Sequence, residues 1–269
     1  MAYSGCTALL DGTRLLPFET GPCETHSSVE LRRTVLPPLP RGGQGIALPD
    51  GLLLRNGEAW HRRYRAVYGG EEREYAVLEY SDSSARLTLS EDCPNPAHCV
   101  ENCAAFEHMA LCADALCFHA SHIIRGGRSL LFTAPCGGGK STQAALWEQC
   151  RGAETVNGDK ALILWGREPI RASGLPYSGS SRICRNLAAP LEAIVVLEQG
   201  RENVLRRLYG AEAVCRLMSG VICPPLHPED RERALSAVLR LAERIPILYL
   251  SCLPDESAVA CLESALRAL

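Results

Sequence analysis

A chain of 269 residues, 46% hydrophobic and 22% charged, has the balance of a globular protein with room for one large or two small domains. Its formal net charge of −3 supplies no basic field for nucleic acid, and no apolar run approaches the ~20 residues of a membrane helix. The chain starts without the charged and apolar regions of a secretory leader, so its fourteen cysteines read as reduced thiols of a cytoplasmic protein rather than as a disulfide scaffold.

Residues 1–112 read as β-rich. Residues 29–35 alternate with period two, as a half-buried strand does. Three prolines and three glycines between residues 37 and 45 predict a loop without regular pairing. A strand over 51–55 reaches an Asn56-Gly57 turn, the strongest short-range hairpin signal. Residues 59–68, 75–80 and 85–89 follow as further strands, and the series predicts an antiparallel meander. Arg62, Arg63 and Arg65 are expected on a solvated strand edge. Cys93, His98, Cys99 and Cys103 form a cluster without the spacing of a common zinc site, and no structural metal is expected there. One helix is predicted over about 100–112, with Phe106, Met109 and Ala110 on its inner face.

From residue 113 the pattern changes to strands alternating with helices, which indicates an α/β core. A strand over 116–124 turns at Gly126-Gly127 into a strand over 129–133. A simple hairpin there pairs residues whose numbers sum to 253 and sets His119 opposite Ala134. The second strand feeds the run Ala134-Pro135-Cys136-Gly137-Gly138-Gly139-Lys140-Ser141-Thr142, and a helix over 143–149 comes next. Strand, glycine-rich turn, Lys-Ser and helix is the context of a phosphate-binding loop. Glycines let backbone N–H groups turn inward around an anion, and the helix N-terminus adds partial positive charge. In that pattern Lys140 reaches the β- and γ-phosphates and Ser141 places its hydroxyl on Mg²⁺.

Further on, Asn157-Gly158-Asp159-Lys160 precedes a strand over 161–165, and residues 174–181, rich in glycine and serine, read as a mobile loop. A continuous apolar strand over 191–197 closes with Glu198. Residues 204–208 read as a strand, 228–245 as a helix, 246–250 as a strand and 255–269 as a terminal amphipathic helix. Cys117, Cys150, Cys215 and Cys261 fall in apolar patterns and are expected to be buried.

Phe118-His119-Ala120-Ser121, the run 134–142, Asn157 to Lys160, the loop 174–181 and residues 194–199 come in an order that resembles the HPr kinase/phosphorylase-like P-loop kinases. The core of that family is similar to phosphoenolpyruvate carboxykinase. The likeness covers about residues 116–269, and the leader resembles that of stand-alone bacterial homologues. It implies an α/β P-loop kinase core over 113–269 behind a β-rich domain over 1–112. It also implies ATP and Mg²⁺ as ligands and transfer of the γ-phosphate to a hydroxyl, most simply serine, of a peptide, protein or small molecule.

Carried onto this sequence, the resemblance makes Pro135, Cys136, Gly137, Gly138, Gly139, Lys140, Ser141 and Thr142 the nucleotide-binding residues. It makes Asp159, His119 and Lys140 the catalytic set, and Ser141, Asp159 and Glu198 the metal ligands. The family carries two adjacent aspartates after the loop, one as base and one for the metal; here the pair is Gly158-Asp159. His119 reads equally as a neutral core histidine or as a group near the γ-phosphate. Glu198 reads as a solvated strand end or a metal ligand, and Ser178, Ser180 and Ser181 as a plain loop or an acceptor-binding lid. No nucleic-acid or membrane partner is expected, and the oligomeric state is left open. A nucleotide-binding regulatory or assembly protein and a plain ATPase are the alternatives.

Overall fold

The computed structural model describes residues 2–11, 15, 27–103, 105–166, 168–179, 181–223 and 228–269. Ser180 and the side chain of Cys103 lie outside the described residues. The chain is a mixed α/β protein that separates into two compact units, Met1–Ala113 and Asp114–Leu269.

The first unit holds β1 (Ala2–Gly5), a 3-10 turn at Thr7–Leu10, β2 (Ser28–Arg33), β3 (Gln44–Leu48), β4 (Gly51–Asn56), β5 (Ala59–Tyr68), β6 (Glu71–Tyr80) and β7 (Ser84–Leu89). Two helices follow, α1 (Pro96–Cys103) and α2 (Phe106–Cys112). The sheet order is β1-β2-β7-β6-β5-β4-β3. Strands β3 to β7 form the expected antiparallel meander. Two features differ from expectation. β2 runs parallel to both β1 and β7, so the sheet is mixed. Gln44 and Gly45, at the end of the stretch read as loop, already belong to the edge strand β3, where glycine is tolerated because only one side is paired.

Arg62, Arg63 and Arg65 do not sit on a sheet edge. Their strand β5 lies between β4 and β6, and the three charges meet Asp50, Glu74 and Glu72. The helix expected over 100–112 is two helices, broken where Ala105 takes the left-handed conformation, φ 51°. That conformation cannot propagate a right-handed helix.

The second unit begins with β8 (Ala115–His119), β9 (Ser121–Arg125), β10 (Arg128–Thr133), α3 (Lys140–Arg151), β11 (Glu154–Asn157), β12 (Lys160–Leu164) and β13 (Arg171–Ser173). It continues with β14 (Ala188–Gln199), β15 (Val204–Leu208), α4 (Gly210–Met218), β16 (Val221–Ile222), α5 (Pro228–Arg244), β17 (Ile247–Cys252) and α6 (Glu256–Leu266). β14 joins two groups of strands. Its first residues, 188–190, pair antiparallel with β13, and the remainder runs parallel between β10 and β17. Phe132, Val195, Leu197, Leu248 and Leu250 from these three parallel strands share one core with Trp147 of α3 and Val259 and Leu262 of α6. α3 stops at Gly152, whose φ of 63° supplies the left-handed residue that ends a helix.

The hairpin β9–β10 has the expected register: Arg125 faces Arg128 and Ser121 faces Phe132. The strand expected over 116–124 is divided at Ala120, however. β8 leaves the hairpin and pairs with β12, so His119 stands opposite Lys160 and not Ala134. Of the cysteines expected inside, Cys117 is buried, Cys150 and Cys261 are half-buried, and Cys215 is exposed because its position on α4 faces outward. No helix among the described residues is long and apolar enough to cross a membrane.

Candidate functional site

The site is built where β10 ends. The loop 134–139 takes the chain from β10 into α3, and two of its residues need glycine: φ is 77° at Gly137 and 93° at Gly139. Gly138 is required for a different reason. A Cβ there would lie 2.6 Å from the Ala134 methyl and 3.0 Å from the Pro135 carbonyl oxygen. Ala134, in a position where glycine is usual, is buried and belongs to the core beneath α3. Gln199, at the end of β14, donates from Nε2 to the Gly137 carbonyl at 2.9 Å and ties the loop to the neighbouring strand.

Lys140 is expected to face solvent or ligand. Instead it is 8% exposed, and its ammonium donates to the carbonyls of Ala134 at 2.8 Å and Pro135 at 3.3 Å. The loop oxygens solvate the charge in place of water, which a buried ammonium demands. Burial pushes its pKa down, and the charges of Asp159 and Cys136 oppose that shift. Ser141 and Thr142, the next two residues of α3, are exposed at the loop mouth.

The other wall is organised by Asn157, which is fully buried. Its Oδ1 accepts the N–H groups of Asp159 and Lys160, each at 2.9 Å. Its Nδ2 donates to the carbonyls of Leu175 at 3.1 Å and Tyr177 at 2.7 Å. Both donor hydrogens and both acceptor positions of the amide are used. One side chain thereby shapes the turn that presents Asp159 and holds the loop 174–181 against it. That loop, read as mobile, is tied: Leu175 and Tyr177 are buried, and Gly174 donates its N–H to Leu187 at 2.9 Å. Gly179 lies flat on the Asp159 carboxylate, since a Cβ there would stand 2.9 Å from Asp159 Cγ. Ser178 is half-buried and Ser181 exposed. Ser121 Oγ donates to the Gly158 carbonyl at 2.8 Å.

His119 ends β8 beside this turn. Its backbone is fixed on both sides, by Thr133 Oγ1 donating to its carbonyl at 2.9 Å and by its own N–H donating to Gly220 at 2.7 Å. Its Nδ1 lies 3.4 Å from Asp159 Oδ1. Burial lowers the His119 pKa, the Lys140 charge lowers it further, and Asp159 pulls the other way. The ring is therefore biased to its neutral form. Lys140, His119 and Asp159 form one electrostatic group at the mouth of the loop.

Glu198 lines a cleft of about 400 Å³ together with Gly139, Lys140 and Ser141 of the loop and with Gln199 and Cys252 at the ends of β14 and β17. The Glu198 carboxylate accepts the hydroxyl of Tyr249, whose pKa burial and that contact raise. The ends of parallel strands are the usual place for a ligand in an α/β sheet. No protein-family model matches the chain, and no curated protein matches it.

Asn157, Gln199, Ser121 and Thr133 were not singled out as site residues from sequence. Ser121, Asn157 and Gln199 fall within the runs that carry the resemblance without a role assigned to them, and the turn-forming Asn157-Gly158 pair was the one local signal.

Proposed function

We propose that this protein is an ATP- and Mg²⁺-dependent kinase, with a P-loop core of HPr kinase type, that transfers the γ-phosphate to a hydroxyl, most simply serine, of a peptide, protein or small molecule. The observation that carries the reading is the convergence of Lys140, His119 and Asp159 at the mouth of a glycine loop that opens a helix. The residues fit the ligands. The spaces beside Gly137 and Gly139 are open for 4 Å around where a Cβ would sit, so an anion can approach the backbone there. The exposed Ser141 hydroxyl and the Asp159 carboxylate are hard oxygen donors of the kind Mg²⁺ takes. When bound, Mg²⁺ neutralises phosphate charge and aligns the phosphates for in-line transfer.

The chain's own residues then divide the work. Residues 136–142 hold the phosphates through backbone N–H groups, and Pro135, which has none, shapes the entry to the loop. Lys140 exchanges its two carbonyl contacts for phosphate oxygens. Neutral His119, oriented through Nδ1 by Asp159, sits beside the same group to accept or position the acceptor proton. Glu198, which accepts the Tyr249 hydroxyl, lines the same cleft as Lys140 and Ser141 and is the third oxygen donor. Positioning and charge neutralisation supply most of the rate. The reading carries a cytoplasmic setting with it.

One observation favours a second reading. Ser181 fills the space beside Gly158, which leaves one carboxylate where the resembled family has two. That suits a nucleotide-binding regulatory protein or an ATPase without transfer. The deciding experiment is incubation with γ-labelled ATP and host lysate, followed by mass spectrometry of labelled species. Label on a serine of an acceptor, with ATP loss dependent on that acceptor, supports the kinase. Tight Mg·ATP binding without turnover supports the regulatory protein, and acceptor-independent ATP loss supports the ATPase.

A further inference from the structure

Outside this site, the first unit brings together three side chains that offer different donor atoms. His108 and Cys112 are one helical turn apart on α2 and share a face. Asp82 comes from the turn between β6 and β7. His108 Nε2 lies 3.6 Å from Asp82 Oδ1 and 3.8 Å from Cys112 Sγ, and the three donor atoms all lie within 4.8 Å of one another. His108 is 2% exposed, and Tyr80 at the end of β6 packs edge-on against its ring, with centroids 5.3 Å apart. The ring is thus held with the same nitrogen toward both an oxygen and a sulfur.

The three donor atoms come from two separate elements and converge on one point, where a cation takes a lone pair from each. A tetrahedral zinc ion, with bonds of about 2.0–2.3 Å, holds its donors about 3.3–3.6 Å apart. The two measured His108 separations are close to that edge length, and the Asp82–Cys112 edge closes by a rotation of the exposed Asp82 side chain.

We propose that Asp82, His108 and Cys112 bind a divalent transition-metal ion, with zinc the best match. A mixed oxygen, nitrogen and sulfur set suits zinc, whereas Mg²⁺ and Ca²⁺ take oxygen. The three ligands leave a fourth position on the solvent side, where the Asp82 side chain is 68% exposed. The ion pins α2 to the β6–β7 turn. The donors are not the cysteine-rich run singled out from sequence. Within that run, Cys93 and Cys99 are buried with their sulfurs 3.4 Å apart, and the sequence offered no reason to join a turn carboxylate to a helix 26 residues further on.

The test is metal analysis of the full-length protein after zinc loading and dialysis, together with cobalt(II) titration. One equivalent of zinc is expected, with a sulfur-to-cobalt charge-transfer band in the cobalt form. Cys112→Ser abolishes that band, and Cys112→Ser and Asp82→Asn each weaken binding at least tenfold. The Cys93→Ser, Cys99→Ser double variant keeps the metal. Absence of zinc from the loaded wild type overturns the proposal, as does a cobalt spectrum without a thiolate band. Retention of full affinity in both Asp82 and Cys112 variants, or loss of metal in the Cys93, Cys99 variant alone, overturns it equally. The wild-type cobalt spectrum decides the matter even where a variant fails to fold, and none of these readouts depends on nucleotide binding.

Discussion

Gly158 and Ser181 occupy one volume between them: a Cβ on Gly158 would lie 2.2 Å from Ser181 Oγ and 2.6 Å from Ser181 Cβ. The serine stands where a side chain at residue 158 would have to go. Placing a second carboxylate beside Asp159 by Gly158→Asp alone is therefore expected to cost about 1–3 kcal/mol by overpacking. Adding Ser181→Gly should recover most of it. The two changes should be strongly non-additive in a double-mutant cycle measured by urea denaturation. Additive effects would show that Ser181 is not what excludes the side chain.

Lys140 carries two roles at once, so its removal has two consequences. Lys140→Ala deletes the donations to the Ala134 and Pro135 carbonyls, of which Ala134 is buried while Pro135 is exposed and still accepts the Gly138 N–H. A stability loss of about 1–3 kcal/mol is expected, chiefly from the Ala134 carbonyl. Loss of the charge should also weaken Mg·ATP binding roughly 10- to 100-fold and stop turnover. Calorimetry at a temperature where the variant is folded separates the two. Unchanged nucleotide affinity there would remove the phosphate-loop assignment.

Local chemistry was legible in the sequence wherever it was self-contained. The two-residue turn at Gly126-Gly127 sets the β9–β10 register from residue 121 to 132, because a tight turn dictates which residues face each other. The same reasoning fails at Ala120. β8 and β9 are mostly buried along their length, and a run buried on both faces does not reveal a change of sheet partner. His119 nevertheless comes close to the loop, by way of β12 and Asp159 rather than across the hairpin. Lys140 could be named from its motif, but not its turn onto the loop carbonyls, which follows from burial. Gln199 and Ser181 act on residues 62 and 23 positions away, and nothing in their neighbours along the chain announces it. α4 went unread because its nine residues, Gly210–Met218, carry a pattern too short to stand out.

Asp159 and His119 differ in what they can lose. Asp159→Asn removes the carboxylate that faces both His119 and Lys140, so it should abolish turnover and shift the Mg²⁺ dependence. His119→Ala should lower the maximal rate by about 10²–10⁴, the range of general acid–base assistance, and leave the Mg²⁺ dependence in place. Because burial and Lys140 hold the His119 pKa below its usual 6.5, the ring is neutral through pH 7. The wild-type rate should be flat above that pH and fall on the acid side only below the ordinary histidine range. His119→Ala should lack this acid limb. Near-normal turnover by Asp159→Asn with an identified acceptor would shift the search to Glu198.

His122 gives a prediction that is independent of any ligand. It is fully buried on β9, with Nε2 2.9 Å from Ser129 Oγ, and Nδ1 has no partner among the described residues. Burial alone lowers its pKa from 6.5 to about 3. Above pH 6.5 neither folded nor unfolded chain binds a proton there, and the residue adds no pH dependence. Between 6.5 and about 3 the unfolded chain takes up a proton that the folded chain refuses, so stability falls as the pH falls, by about 1.4 kcal/mol per pH unit. Below about 3 both states are protonated and the slope vanishes. His122→Gln keeps a hydrogen-bonding group toward Ser129 but cannot titrate, so its stability should decline more gently from pH 6 to 4. Carboxylates contribute equally to both proteins and cancel in the comparison. Urea midpoints of the two at pH 6, 5 and 4 give the difference directly, and parallel slopes would mean that His122 is protonated in the folded protein.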